Sequence, residues 1–245
     1  MRLKLSLLAL SALVHLNAQE STFKIPPSKI LLPVGNQEIV ITVSGAVAQA
    51  RDTFHLALAA DLAEFQKSIA ALLAAELNRS DECGERLMVQ NAVLIPQPPA
   101  SLLTVNVHYE RWACIKALGR RTEKRLVGGN GVMDVKLTPS VHEKNELRLV
   151  SEVGKIEADG SLGELLRSGS VGDSIREKIK AKVTSAIQKA TDLNRSLPPE
   201  VERVTTLRDA RFGDAGSGRL SFELKGDVTI GASELESVMG KRKGG

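Results

Sequence analysis

The sequence predicts an α+β fold in which antiparallel strands pack against long amphipathic helices. Three observations carry that reading. Apolar residues alternate with polar ones in stretch after stretch, which is the period of a half-buried strand. Two segments, 61–77 and 173–193, instead carry apolar residues at helical spacing. The connections between the middle strands are short, which favours antiparallel neighbours. The 245 residues hold one large domain or two small ones. With 42% hydrophobic and 25% charged residues, disorder, collagen and coiled coil are poor descriptions.

Residues 19–36 hold Pro26, Pro27, Pro33 and Gly35 and read as an extended entry arm ahead of a single domain spanning 37–231. Ile39, Ile41, Val43 and Val47 mark the first strand. Phe54, Leu56 and Leu58 mark the second, with Gly45 read as a bulge. Asp61 caps a helix whose stripe is Leu62, Phe65, Ile69, Leu72, Leu73 and Leu77. Residues 86–95 form a strand that Pro96, Pro98 and Pro99 break. Leu103, Val105, Val107 and Tyr109 define the next. A basic segment follows, then Gly128, Gly129 and Gly131, read as a turn or bulge because no Lys-Ser/Thr follows to make a phosphate loop. Met133, Val135 and Leu137, then Leu147, Leu149 and Val153, mark two further strands. Leu162, Leu165 and Leu166 give a short helical turn that Gly169 and Gly172 interrupt. The long helix carries Ile175, Ile179, Val183 and Ile187 on one stripe and runs roughly 30 Å at 1.5 Å per residue. Strands over 201–212 and 220–230, joined by a Gly213–Gly218 hairpin turn, close the fold. Residues 232–245 read as a polar tail.

Residues 1–18 have the charged, apolar, small-residue order of a cleaved signal peptide, since their apolar run is far short of a membrane span. A periplasmic or secreted, soluble product follows. Cleavage takes Arg2 and Lys4 and no acid, so the net charge falls from +4 to +2. That small surplus predicts neither nucleic-acid nor anionic-membrane binding, and 3% aromatics weigh further against a stacking surface for single-stranded nucleic acid. Cys83 and Cys114 are the only cysteines, an even count that reads as one disulfide in an exported chain. Too few Cys and His cluster for a metal, no cofactor motif is present, and HExxH, GxSxG and Walker patterns are missing. His55 and His108 lie on the polar faces of their strands and read as surface imidazoles.

The element order, the opening Ser28-Lys29-Ile30-Leu31-Leu32-Pro33-Val34, the segment Leu162-Gly163-Glu164-Leu165-Leu166 before Gly169–Gly172, and a long helix ending at Leu197-Pro198-Pro199 resemble the tubular lipid-binding superfamily in its bacterial periplasmic, single-barrel form. The resemblance implies a highly twisted antiparallel sheet wrapped around one or two long helices, with an apolar groove between them. It implies an exported, non-enzymatic carrier of lipid or another long apolar ligand, as a monomer or homodimer. Phe65, Ile69, Leu72, Leu73, Ile175, Ile179, Val183 and Ile187 are the groove candidates, and core packing is the competing reading of the same residues. The alternative function is a periplasmic structural or adaptor protein docking an envelope partner through a strand edge or the basic segment. There Lys116, Arg120, Arg121, Lys124 and Arg125 could meet anionic headgroups or simply form a solvated loop. Hydrolysis by an unrecognised Ser or Asp arrangement stands third.

Overall fold

The computed structural model describes residues 22–34, 37–50, 53–78, 84–117, 120–190 and 205–229. Over them the chain builds two separate antiparallel sheets and three helices. In the first sheet β1 (Thr22–Val34), β2 (Gln37–Ala50), β3 (Thr53–Asp61), β9 (Leu220–Thr229) and β8 (Thr205–Asp214) stand side by side in that order. The second is a meander of β4 (Gly84–Gln97), β5 (Ala100–Ala117), β6 (Arg120–Val141) and β7 (Leu147–Ala158). The helices are α1 (Ala63–Leu77), α2 (Gly160–Leu166) and α3 (Gly169–Ala190).

This arrangement overturns the expected single sheet wrapped around long helices. The helices lie against one face of the meander rather than at the centre of a curled sheet. The main core joins Ile69, Leu73 and Leu77 of α1 and Ile175, Ile179 and Val183 of α3 to Leu87, Leu103, Val105, Met133 and Val135 of the meander. The opposite side of α1 sends Leu72 to Ile39, Ile41 and Ala60 of the first sheet. One helix therefore joins both sheets.

The proline-rich arm is an edge strand. β1 runs antiparallel to β2, and its register slips between Ile25 and Ser28, at Pro26-Pro27. Proline lacks the ladder donor, so an edge is where a strand tolerates it. The bulge thus belongs to β1. Gly45 stays in regular pairing with Leu58, and a side chain there would meet the Ala57 carbonyl at 2.4 Å. The glycines at 128–131 are likewise no turn. They sit inside β6, where a Cβ on Gly129 would lie 2.7 Å from the Asp159 carbonyl oxygen and 2.8 Å from Leu162 Cβ. Their bareness lets α2 land on the sheet. α3 begins at Gly169, earlier than the helical segment expected from residue 173, because Gly172 can sit against the end of α2. The N-cap of α1 is Leu62 rather than the expected Asp61, although Asp61, the last residue of β3, still reaches the first turn, its Oδ1 accepting from the Ala63 N–H at 2.9 Å.

Gln66 ties these parts together. Its amide donates to the Leu94 and Gly218 carbonyls at 2.9 and 3.0 Å, and its Oε1 accepts from the Leu220 N–H at 2.6 Å. One side chain thus holds α1, β4 and the β8–β9 turn.

Candidate functional site

The groove candidates are placed as core. Ile69, Leu73, Ile175, Ile179 and Val183 are buried together in the main cluster, Leu72 is buried in the second, and Phe65 is partly buried beside both. The Ile187 side chain lies outside the described residues. Packed interiors and apolar channels share one periodicity, so the sequence could not separate them.

The opening in the surface is elsewhere, on the first sheet's face away from α1. Strand parity creates it. Ile39, Ile41, Ala60 and Phe222 point inward, so Ala46, Ala48, Ala57 and Ala59 point outward. Ala46 pairs with Ala57, and Ser44 with Ala59, so neighbouring strands both present short side chains. The result is a furrow walled on the β9 side by Glu223, Lys225 and Asp227. It has two adjoining hollows of about 280 and 300 Å³, which share Ala46, Ala57 and Lys225.

A polar cluster closes one end. His55 stands opposite Asp227 in the β3–β9 ladder, and Asp227 opposite Thr206 in β8. A register shift in β8 between Leu207 and Asp209 releases Arg208 from the ladder. The Asp227 carboxylate is buried. Its Oδ1 takes His55 Nδ1 at 2.7 Å and its Oδ2 takes the Arg208 guanidinium. The His55 hydrogen bond, and next the Arg208 fork, hold the Asp227 carboxyl below its ordinary range. An ionised carboxylate only accepts, so Nδ1 carries a hydrogen directed at Asp227. His55 is half-exposed, so its Nε2 edge is reachable from the trough.

Chemically, the site offers an apolar floor, an oriented imidazole, a guanidinium and the Lys225 ammonium. Among the described residues, no Ser, Thr, Cys or Tyr lines either hollow. No three His, Cys, Asp or Glu side chains gather in metal-binding fashion among the described residues. Sequence reasoning left His55 as a surface imidazole. The only available signal was its place in the strand alternation, because Asp227 lies 172 positions away.

No protein family, curated protein or solved structure matches the chain. The site must therefore be read from its own chemistry.

A second polar network lies on the outer face of the meander. Glu110 accepts from Trp112 Nε1 at 2.8 Å and from Arg125 at 3.1 Å, with His108 Nε2 at 3.3 Å. The Trp112 bond, then those from Arg125 and His108, outweighs desolvation and lowers the Glu110 pKa. Arg86 stacks on Trp112 at 4.6 Å. The basic segment that starts beyond this network is not a loop. It makes the paired ends of β5 and β6, with Lys116 opposite Arg121 and Ala117 opposite Arg120. Lys124 and Arg125 are exposed; the side chains of Lys116, Arg120 and Arg121 lie outside the described residues. So does Cys83.

Proposed function

We propose that the protein is an exported, non-catalytic binding protein that carries an amphipathic anion, such as a fatty acid, in the trough of the first sheet. The observation that carries this reading is the alanine-floored furrow ending at His55, Asp227 and Arg208 beside Lys225. The apolar tail would lie on Ala46, Ala57 and Ala59, and the charged head beside Arg208 and Lys225. Full burial of a methylene contributes roughly 0.8 kcal/mol. An open trough recovers only part of that, so the head must supply the rest through charge-assisted hydrogen bonds. Asp227 is already saturated by His55 and Arg208. It orients both groups and leaves the Arg208 face toward the trough as the attractive one.

Export rests on residues 1–18, and a periplasmic or secreted setting is the environment in which Cys83 and Cys114 would be joined. Gly84, next to Cys83 in the chain, pairs with Trp112, two residues before Cys114. That register supports the pairing.

Calorimetric titration with dodecanoate, and with dodecanol as the uncharged control, tests the reading. Wild type should bind the acid saturably and the alcohol more weakly. Ala57→Phe, which fills the floor from an outward-facing position, should abolish binding without lowering the melting temperature. Lys225→Gln should weaken only the acid. No saturable binding of either compound, or wild-type binding by a folded Ala57→Phe protein, would refute the assignment.

A further inference from the structure

The β5–β6 hairpin outruns the rest of its sheet. β4 starts at Gly84, opposite Trp112, and β7 ends at Ala158, opposite Gly131. From Ala113 to Ala117, β5 pairs only with Arg120 to Lys124 of β6 among the described residues. Over these residues β5 and β6 form a two-stranded ribbon that runs beyond the described ends of β4 and β7.

Its composition is lopsided. Between positions 111 and 125 stand Arg111, Lys116, Arg120, Arg121, Lys124 and Arg125, against one acid, Glu123. The register pairs Lys116 with Arg121, and like charges paired across a ladder cost stability. Aliphatic residues are also uncovered: Ile115 on the ribbon is 53% exposed and Leu126, at the register shift by its base, 54%. The base, by contrast, is braced. Glu110 holds both Trp112 and Arg125, and Arg86 caps the indole. The paired residues beyond it are thus carried on a fixed mount.

We propose that this ribbon docks the protein on an anionic bilayer surface. Its cations would meet headgroup phosphates while Ile115 and Leu126 enter the interfacial layer, the two-signal pattern of reversible membrane attachment. Charge alone would suit any polyanion. Exposed aliphatic side chains among the cations favour a lipid surface over nucleic acid, which rewards aromatic stacking instead. The inference is independent of the trough, which lies on the other sheet.

Cosedimentation with vesicles tests it. Wild type should pellet with mixed phosphatidylcholine and phosphatidylglycerol vesicles, less so as salt rises, and not with phosphatidylcholine alone. The quadruple variant Lys116→Gln, Arg120→Gln, Arg121→Gln, Lys124→Gln should lose on the order of a hundredfold or more in partitioning, at about fivefold per residue. A charge-matched control, Lys29→Gln, Lys67→Gln, Lys136→Gln, Lys155→Gln, should keep most of its binding. Ile115→Asp should weaken binding with all the cations present. Circular dichroism establishes that each variant is folded. Equal pelleting with both vesicle types, equal loss in the control, or capture of duplex DNA without any vesicle binding would overturn the proposal.

Discussion

Replacing Ile179 with Ala and, separately, Val183 with Trp distinguishes a packed interior from an open lipid channel along α3. Ile179 is 2% exposed and Val183 is 0% exposed, both inside the main cluster. Ile179→Ala removes three carbons, a transfer loss of roughly 2.4 kcal/mol. The space left is about 80 Å³ before relaxation, which adds roughly 2 kcal/mol at 24 cal/mol per Å³. The total is about 4 kcal/mol, or a melting point lower by roughly 8–16 °C for a domain of this size. Val183→Trp must force an indole into filled space. Overpacking commonly costs about 1–3 kcal/mol, and so large an addition belongs at or beyond the top of that range. The assay is urea unfolding followed by circular dichroism, with a fluorescent fatty acid titrated into each folded variant. A Val183→Trp protein with the wild-type unfolding midpoint and no fatty-acid binding would restore the sheet–helix groove. It would also refute the packed-core reading.

The remaining expectations concern single polar groups. Tyr109 is 2% exposed, its hydroxyl makes no well-formed hydrogen bond among the described residues, and burial, reinforced by the charge and hydrogen-bonding reach of the neighbouring Glu85, pushes its pKa up to about 12. Tyr109→Phe should be neutral or stabilising by about 1 kcal/mol in urea melts, and a loss above that would reveal a hidden partner. Gln66→Leu strands the buried Leu220 N–H and should cost about 2–3 kcal/mol in the same assay; an unchanged midpoint would remove Gln66 as the link between α1 and the β8–β9 turn. Asp227 has a depressed folded-state pKa, so its contribution is present above the ordinary value of 3.8 and drains away as pH falls below it. The stability gap between wild type and Asp227→Asn should therefore be full at pH 6 and shrink in acid below that value; a gap independent of pH would contradict the ionic account.

Local pattern was legible in the sequence and long-range pairing was not. Ile39 to Val47, Leu103 to Tyr109 and Leu220 to Val228 carry an alternation that burial of one face enforces, so their strands follow from the residues alone. The meander was equally readable, because its connections are short. What no local signal encodes is that β9 returns past the whole four-stranded meander, and past β8, to pair with β3. The one-sheet expectation failed at that step, since either pairing satisfies the same alternation. The candidate site was lost with it. His55 acquires Asp227 and Arg208 only through the β3–β9–β8 neighbourhood, and the alanine floor exists only where β2 and β3 bring two runs of small residues into register. The glycines show the same dependence in reverse. Gly129 reads as a turn when only its neighbours are considered, yet its role is set by Asp159 and Leu162, which pack on it from thirty positions away. In this chain, residues chosen for what they lack mark where another segment approaches, and that information becomes usable only once the pairing is known.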